Sequence, residues 1–248
     1  MKILIVMPFY NEEEFCYKYT EEIINEFSKT NNEINYLLID DYSADNTHKE
    51  LIKIKNLNNS TVILKKNDQN LGHGESVVSG YIYSLENNYD AVMQIDGDNA
   101  AEPKSMIKLL NYSVDNNFDV VLANRVNRPD NLIRKLITYI LFLNLRVIYG
   151  VTFKDSNVGI RFMKKEFLEK INLESIKNLS IPNAFITSFS FLYGYNFSFL
   201  DIQMRNNIQK NRIGEQWGSG NSLKSLIRLF NGAYKCFLEV NTKFKEII

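Results

Sequence analysis

Short apolar segments alternate with amphipathic segments along the first half of the chain. Five short runs rich in β-branched residues predict buried strands, at 3–7, 36–39, 61–64, 91–95 and 120–123. Between them, apolar residues recur at helical spacing, which predicts helices near 12–29, 46–56, 74–87 and 103–116. Strands that alternate with helices are typical of a mostly parallel sheet with helices on both faces. We therefore predict a Rossmann-like α/β fold.

The second half of the chain has a less regular pattern. A broad apolar helix is predicted over 132–149, and the later segments are a turn-rich stretch at 154–159, an aromatic stretch at 185–193 and a strand at 197–204. Residues 211–221 are polar with three glycines, and a last helical pattern begins near Ser222. No linker divides the chain, so we expect one domain over residues 1–221 and a C-terminal helical extension over 222–248.

Charge and cysteine content argue against two classes of function. Lys and Arg number 29, as do Asp and Glu, so the chain lacks the basic surplus of a nucleic-acid-binding protein. Cys16 and Cys236 have no other Cys or His at zinc-ligand spacing, and two isolated thiols favour a reducing compartment. Charged side chains within the longest apolar stretch, 132–151, argue against a membrane span. We expect a cytoplasmic protein, soluble or peripheral on the cytoplasmic face of a membrane, and the sequence leaves its oligomeric state open.

Polar residues follow four of the predicted strands, and in parallel sheets ligands bind at the carboxyl ends of the strands. These residues are Pro8-Phe9-Tyr10-Asn11-Glu12, Asp40-Asp41-Tyr42-Ser43, Asp96-Gly97-Asp98-Asn99 and Asn124-Arg125. Together they offer an aromatic surface, acceptors for a base or ribose, and a positive charge for phosphate. The strand ends therefore predict a nucleotide site at one edge of the sheet.

The Asp96-Gly97-Asp98 triplet is the sharpest of these motifs. Carboxylates at a strand end bind hard divalent cations, and such a cation bridges a diphosphate. Mg²⁺ and Mn²⁺ both accept these ligands, and the sequence does not choose between them. The alternative is a plain turn, because Asp, Gly and Asn are common turn residues. Because residues suited to nucleotide binding also follow the other three strands, we favour the metal-binding interpretation of the triplet.

Two other segments have both a functional and a purely structural interpretation. Asn70-Leu71-Gly72-His73-Gly74 opens a helix and could present backbone N–H groups to an anion, although it lacks the lysine and spacing of a P-loop. The other histidine, His48, lies in a helical stretch and is expected to be a solvated surface residue. Basic residues at and after the fifth strand are either solvated charge at a helix end or phosphate ligands, namely Arg125, Arg128, Arg134 and Lys135.

Taken together, these motifs resemble the family 2 inverting glycosyltransferases, and within them the dolichol-phosphate mannose synthase-like branch. The resemblance covers residues 1–165 well and the remainder weakly. Asp40–Thr47 resembles the family's Asp-Asp-x-Ser-x-Asp-x-Thr motif, 70–74 its Asn-x-Gly loop, and 155–161 its later Asp-x-x-Ser-Gly-Phe-Arg segment. The order and spacing of these motifs carry the resemblance.

The resemblance implies a GT-A fold, a divalent cation on Asp98, and catalytic roles for Asp98, Arg125 and Arg134. It implies that Arg134 and Thr138 lie near an acceptor phosphate. It further implies nucleotide-sugar contacts from Pro8, Tyr10, Glu12, Ile39, Asp41, Asp96, Gly97, Asp98, Arg125 and Arg212.

Two departures from the family bear on these expectations. Where the mannose-phosphate synthases often have a Gln as a second metal ligand, this chain has Ala100, so the metal would depend more on Asp98, diphosphate and water. The family's late Arg-x-x-Gly-Glu-Ser-Lys loop survives only as Arg212-Ile213-Gly214-Glu215.

The acceptor is inferred from the distribution of carboxylates. Transfer to a sugar hydroxyl usually needs a carboxylate base, and no Asp or Glu occurs between Glu174 and Asp201, although Asp155 and Glu215 remain alternatives. A phosphate acceptor is already ionised and needs arginines instead. We therefore expect transfer from a nucleotide-diphosphate sugar to a polyprenyl phosphate. The alternatives are transfer to a sugar hydroxyl in cell-surface glycan synthesis, and a nucleotide-binding module without transfer activity.

The apolar side chains of 132–149 fit either of two environments. They are compatible with a membrane surface or a lipid tail. A core helix or a subunit interface is favoured over these, because apolar helices are usually buried inside proteins.

Overall fold

A computed structural model of the chain describes residues 1–126, 132–152, 157–179, 181–205, 234–235 and 238–245. Its strands are β1 (Lys2–Phe9), β2 (Glu33–Asp40), β3 (Val62–Lys66), β4 (Ala91–Ile95), β5 (Val120–Val126), β6 (Ile160–Lys164) and β7 (Phe197–Gln203). Its helices are α1 (Cys16–Phe27), α2 (Thr47–Leu57), α3 (His73–Glu86), α4 (Pro103–Asp115), α5 (Leu132–Tyr149), α6 (Lys165–Leu168), α7 (Leu173–Ile176) and α8 (Pro182–Leu192).

The predicted elements of the first half are all present, but several bounds were wrong. Strands β1, β2 and β5 are longer than predicted, and Asn124 and Arg125, expected after the fifth strand, lie within β5. The predicted helix from residue 12 begins instead at Cys16. The carbonyl of Glu12 accepts hydrogen bonds from the backbone N–H groups of Phe15 and Cys16, at 3.1 and 2.9 Å, so residues 12–15 form a turn. This turn places Glu12 at the sheet edge instead of inside a helix.

The seven strands form one sheet in the order β3-β2-β1-β4-β6-β5-β7. The pairs β1–β2, β2–β3, β1–β4 and β5–β7 are parallel, while β6 runs antiparallel to both β4 and β5. The sheet is therefore mostly parallel, as predicted. The sequence pattern did not predict β6, because Arg161 and Lys164 interrupt its apolar run.

Helices pack in two groups, as expected for a sheet that is covered on both faces. Helix α1 packs against α2 and α4, while α3 packs against α6, α7 and α8. A Cβ at Gly80 of α3 would stand 2.3 Å from a methyl group of Val6 on β1. Glycine at this position therefore lets α3 lie close to the sheet.

The described C-terminal residues are helical over 238–245 and partly buried. Phe244 stacks on Phe185 of α8 at 4.5 Å between ring centroids and lies equally close to Tyr149 of α5. The predicted boundary between 221 and 222 lies outside the described residues, so the division into a domain and an extension stays a prediction. Within the described ranges, no helix is both long and apolar enough to cross a membrane.

Candidate active site

The strand order reverses between β1 and β4, and the predicted site residues lie at this edge. From β1 the chain continues outward to β2 and β3, whereas β4 starts the other half of the sheet. Such a reversal leaves a crevice at the carboxyl ends of the two strands, where ligands of open α/β sheets bind. Because β6 is antiparallel, its beginning also lies at this edge, with Ile160 opposite Ile95.

Gly97 lies directly against the end of β1. Its N–H donates to the carbonyl of Pro8 at 3.2 Å. A Cβ at position 97 would stand 2.4 Å from the ring of Phe9 and 2.6 Å from that carbonyl, so no side chain fits. Glycine is therefore required here by the close packing of the loop on β1.

The carboxylate of Asp96 is held by residues from three elements. Its Oδ1 accepts a hydrogen bond from Nε2 of Gln94 at 2.9 Å and lies 3.3 Å from Nε2 of His73 at the start of α3. On another side, a Cβ at Gly159 would stand only 1.7 Å from Oδ2. Burial raises the pKa of the Asp96 carboxyl and the Asp98 carboxylate raises it further, whereas His73, the Gln94 hydrogen bond and Arg125 lower it.

Asp98 begins a tight turn that is tied to the end of β7. The N–H of Ala100 donates to Oδ1 of Asp98 at 3.0 Å, and the carbonyl of Ala100 accepts from the N–H of Arg205 at 2.9 Å. The Arg205 guanidinium bonds the Asn99 side chain and forms an ion pair with Glu22. Position 100 thus contributes to the turn after Asp98 through its backbone.

Arg205 was missed by the sequence analysis. The sequence did contain a signal for it, because this basic residue directly follows the predicted strand at 197–204, in the position that ligand-binding residues take after parallel strands.

The loops after β1 and β2 are hydrogen-bonded to each other. Asn11 accepts from the N–H of Ala44 at 2.8 Å through its side chain and donates to the hydroxyl of Ser43 at 3.0 Å through its backbone. The N–H of Glu12 donates to the hydroxyl of Thr47 at 2.8 Å. This fixes the backbone on which Tyr10 and Glu12 lie, at the edge where a nucleoside contact was predicted.

Asp41 is buried and accepts hydrogen bonds from the loop at 70–74. Its two carboxylate oxygens accept from the N–H groups of Leu71 and Gly72, each at 2.9 Å, and one also accepts from the side-chain amide of Asn67 at 2.7 Å. The anion that these backbone N–H groups meet is therefore Asp41 itself. This loop does not offer them to a phosphate, as the sequence had suggested it could.

Two further residues at the β2 end have surroundings that the sequence did not indicate. His48, expected to be solvated, has Nδ1 3.1 Å from an oxygen of the fully buried Asp40, so that expectation was wrong. Ile39 is 1% exposed and lies in the core opposite Pro8, so a nucleoside could reach only its backbone.

Arg125 ends β5 on the other half of the sheet. It lies near enough to Asp96 to lower the pKa of that carboxyl. The neighbouring Asn124 donates to Asp201 of β7 at 2.6 Å, which secures this strand end. The guanidinium of Arg125 therefore lies within electrostatic reach of the Asp96 carboxylate.

Several predicted residues lie outside the described part of the chain. Positions 134 and 138 belong to α5, but the side chains of Arg134 and Thr138 are not among those described. The others, entirely outside, are Arg128, Asp155, Arg212 and Glu215. Their predicted roles stay predictions.

The donor set around Asp98 suits a cation that takes most of its ligands from elsewhere. Among the described residues, no group of three His, Cys, Asp or Glu side chains is close enough to hold a metal ion. Asp98, with Asp96 two residues before it, offers hard oxygen ligands at the crevice. Mg²⁺ and Mn²⁺ are commonly bound through one or two carboxylates plus phosphate and water oxygens, so these residues fit such an ion.

Known structures with similar folds support the assignment of the architecture. Glucosyl-3-phosphoglycerate synthase from Mycobacterium tuberculosis, solved with Mn²⁺ and UDP-glucose, matches 96% of this chain and 78% of its own, with a TM-score of 0.63 and 16% identity. TarS from S. aureus (residues 1–349), solved with UDP, matches 81% of this chain and 58% of its own, with a TM-score of 0.53 and 19% identity. At these identities the likeness concerns the fold, and it confirms the predicted GT-A architecture.

The amino-acid sequence is similar, over a short segment, to that of a named transferase. Undecaprenyl-phosphate 4-deoxy-4-formamido-L-arabinose transferase from Proteus mirabilis (strain HI4320) is 31% identical over 80 residues, which are 32% of this chain and 24% of that protein. The match therefore spans only about a quarter of that relative. The sequence profile of the family described as Glycosyl transferase family 2 matches residues 4–197, which include the described strand-end motifs. The chain belongs to glycosyl transferase family 2, which confirms the family and the glycosyltransferase class expected from its motifs.

Proposed function

We propose that this protein is an inverting, metal-dependent glycosyltransferase that moves a sugar from a nucleotide-diphosphate sugar to a polyprenyl phosphate. The observation that carries the proposal is that Asp96 and Asp98 directly follow β4 at the crevice, with Arg125 of β5 near enough to Asp96 to lower the pKa of its carboxyl. Carboxylates next to a cation at this edge suit a diphosphate that is bound through a divalent metal. The Mn²⁺ and UDP-glucose in the M. tuberculosis synthase are consistent with this donor chemistry.

In the donor half of the site, Asp98 would hold the cation together with the donor's phosphate oxygens. Bound there, Mg²⁺ or Mn²⁺ supplies positive charge to the departing diphosphate. Arg125 donates hydrogen bonds to phosphate oxygens, and Asp96 accepts from the ribose. Tyr10, Glu12 and the backbone at Ile39 contact the nucleoside.

In the acceptor half, a phosphate oxygen attacks the anomeric carbon from the face opposite the leaving group. A bond from that carbon to the acceptor oxygen forms as the bond to the diphosphate breaks, and the configuration inverts. The acceptor is already ionised, so no base is needed. The name of the Proteus mirabilis relative, an undecaprenyl-phosphate transferase, supports this acceptor class.

Helix α5 supports a peripheral contact with the membrane that carries such an acceptor. Tyr139, Leu143 and Val147, spaced four residues apart, are 51%, 40% and 83% exposed. Residues at this spacing lie along one side of a helix, and an exposed apolar stripe of this kind suits the surface of a bilayer.

A donor and acceptor screen tests the proposal. Purified protein with Mn²⁺ would be offered UDP-, GDP- and CMP-linked sugars, with undecaprenyl phosphate in vesicles and simple sugars as competing acceptors, and products would be identified by mass spectrometry. We expect the product to be undecaprenyl phosphate that carries the transferred sugar. Transfer to the simple sugars alone would show that the acceptor is a sugar hydroxyl and not a lipid phosphate. Nucleotide binding without any transfer would show that the protein is a binding module and not an enzyme.

An Asp98→Asn variant tests the metal assignment. We expect transfer to fall about 100-fold or more, because the amide is a weaker ligand and the charge on the diphosphate is then less well compensated. Asp115→Asn, at the end of α4 away from the crevice, is the matched control and should behave as wild type. Full activity of Asp98→Asn would remove Asp98 from the metal site.

A further inference from the structure

Gln94 is a fully buried polar side chain in the middle strand of the sheet. Its neighbours along β4 are apolar, and an aliphatic side chain there would avoid the cost of removing an amide from water. A buried amide is stable only where both its oxygen and its nitrogen have partners. The partners of Gln94 therefore indicate why it is present.

Those partners form a short relay that ends on Asp96. The hydroxyl of Tyr81, itself buried on α3, donates to Oε1 of Gln94, and Nε2 of Gln94 donates to Oδ1 of Asp96 at 2.9 Å. The direction of the relay is determined by its ends. An ionised carboxylate only accepts, so the Gln94 nitrogen must face Asp96, and the Tyr81 hydroxyl must then donate to the oxygen.

The sheet places the relay on one face. Gln94 and Asp96 are two residues apart, so their side chains point to the same side of β4. Arg161 of β6 lies directly opposite Gln94 in the antiparallel pair. It donates to the carbonyl of Val158 at 2.6 Å, and so holds the backbone just before Gly159, which backs the Asp96 carboxylate.

We propose that Gln94 and Tyr81 are positioning residues that hold the Asp96 carboxylate in the orientation required to bind the donor's ribose. This inference rests on the proposed function, because it assigns the relay to nucleotide-sugar binding. Asp98 repels the neighbouring carboxylate, and His73 attracts it toward the start of α3. The hydrogen bond from Gln94 anchors the Asp96 carboxylate to the core of the sheet against both of these forces.

The test removes the relay without leaving an unpaired group. Gln94→Met keeps the size of the side chain but leaves the Tyr81 hydroxyl unpaired, so the informative variant is Gln94→Met combined with Tyr81→Phe. Binding of UDP, GDP, ADP and CDP would be measured by calorimetry with Mn²⁺, and the tightest of the four would be used for comparison. KM for the donor, kcat and the urea midpoint would be measured in parallel.

We expect the double variant to bind this nucleotide about five- to tenfold more weakly, because the Asp96 side chain must then be ordered when the nucleotide binds. KM for the donor should rise by the same factor, with the urea midpoint unchanged or higher. Gln94→Glu should bind more weakly still, because it places a second carboxylate against Asp96. Tyr36→Phe, which removes a buried hydroxyl on β2 outside the relay, is the matched control and should bind as wild type.

The outcomes separate this inference from the proposed function. Unchanged nucleotide affinity and KM in the double variant, with wild-type protein binding normally, would overturn the positioning role alone. A lower urea midpoint with wild-type affinity would assign the relay to stability and also overturn it. If wild-type protein bound none of the four nucleotides, the proposed function would fail, and this inference with it.

Discussion

Gly159 lies with its backbone against the Asp96 carboxylate, where a Cβ would stand 1.7 Å from Oδ2. The Asp96 side chain is short, and its other oxygen is already bonded by Gln94. A methyl group at position 159 therefore cannot be accommodated unless the carboxylate moves. Position 159 controls the placement of a residue that lies more than sixty positions earlier in the chain.

Gly159→Ala should therefore lower nucleotide affinity more than stability. We expect affinity to fall on the order of 10- to 100-fold, because a binding group is displaced by about 1 Å. The measurement is calorimetry with the same nucleotide and Mn²⁺. Gly194→Ala is the control: its φ of +65° costs about 1 kcal/mol of stability for a residue with a Cβ, but nothing lies within 4 Å of that Cβ. If the two variants bind alike, Gly159 has no influence on the site.

At the scale of residues, the sequence predicted the carboxylates of the site and missed what orients them. Asp96 and Asp98 follow an apolar strand, and that pattern is local. The contacts of Asp96 with His73 and Gly159 join positions that are distant along the chain, so no local pattern contains them. Gln94 was detectable in principle, as one amide within an apolar strand.

Strand β6 carries a buried cation to the start of α8. Arg161 is fully buried and donates to the carbonyl groups of Val158 and Asn183, at 2.6 and 3.1 Å. The segment before β6 and the start of α8 are thereby joined through one side chain.

Arg161→Met should lower the free energy of unfolding by roughly 2–5 kcal/mol, because it leaves two buried carbonyl groups without these donors. Urea denaturation measures the effect. Lys164→Met, on the same strand but with its ammonium group bonded to exposed Asn117, should cost about 1 kcal/mol, the usual net value of a hydrogen bond. Equal losses in the two variants would mean that the buried guanidinium contributes no more than the ammonium group of Lys164.

At the scale of elements, long or strongly apolar patterns were predicted best. The bounds of β4 and α5 are those expected from the sequence. Strand β6 was missed because it has only five residues, two of them basic. Helix α8 was not assigned, because an aromatic run fits a buried helix or a strand equally well when periodicity is the only evidence.

In the molecule as a whole, the described C-terminal residues join two helices of the domain. Phe244 is 2% exposed and contacts the rings of Phe185 and Tyr149, and the Tyr149 hydroxyl donates to Asn241. Residues 238–245 are thus held against α5 and α8 by aromatic contacts.

Phe244→Ala should lower the free energy of unfolding by about 3 kcal/mol or more, because it removes a buried aromatic ring and leaves a cavity. Hydrogen exchange should become faster over residues 238–245. Tyr234→Ala, which removes an aromatic ring that is 64% exposed, is the control and should change stability by less than about 0.5 kcal/mol. Unchanged exchange in Phe244→Ala would show that these contacts do not hold the segment.

For the whole molecule, alternating strands and helices were enough to predict the class of fold. They were not enough to predict the strand order, because the insertion of β6 between β4 and β5 depends on pairing between segments that are far apart in the chain. The edge at which the candidate site lies could be predicted from the sequence, since this needs only the common direction of the parallel strands, and the roles of its residues stay predictions.

The bonds from Asp41 to Leu71 and Gly72 have a consequence for the thermodynamics of ligand association. Fixing the backbone of a flexible residue costs about 1–2 kcal/mol of conformational entropy. In this protein the Asp41 carboxylate fixes the loop after β3 through hydrogen bonds to its backbone. The loss of conformational entropy therefore occurs when the chain folds and not when the ligand binds. An incoming donor would therefore meet this part of the edge already preorganised, and its association there resembles docking rather than coupled folding and binding.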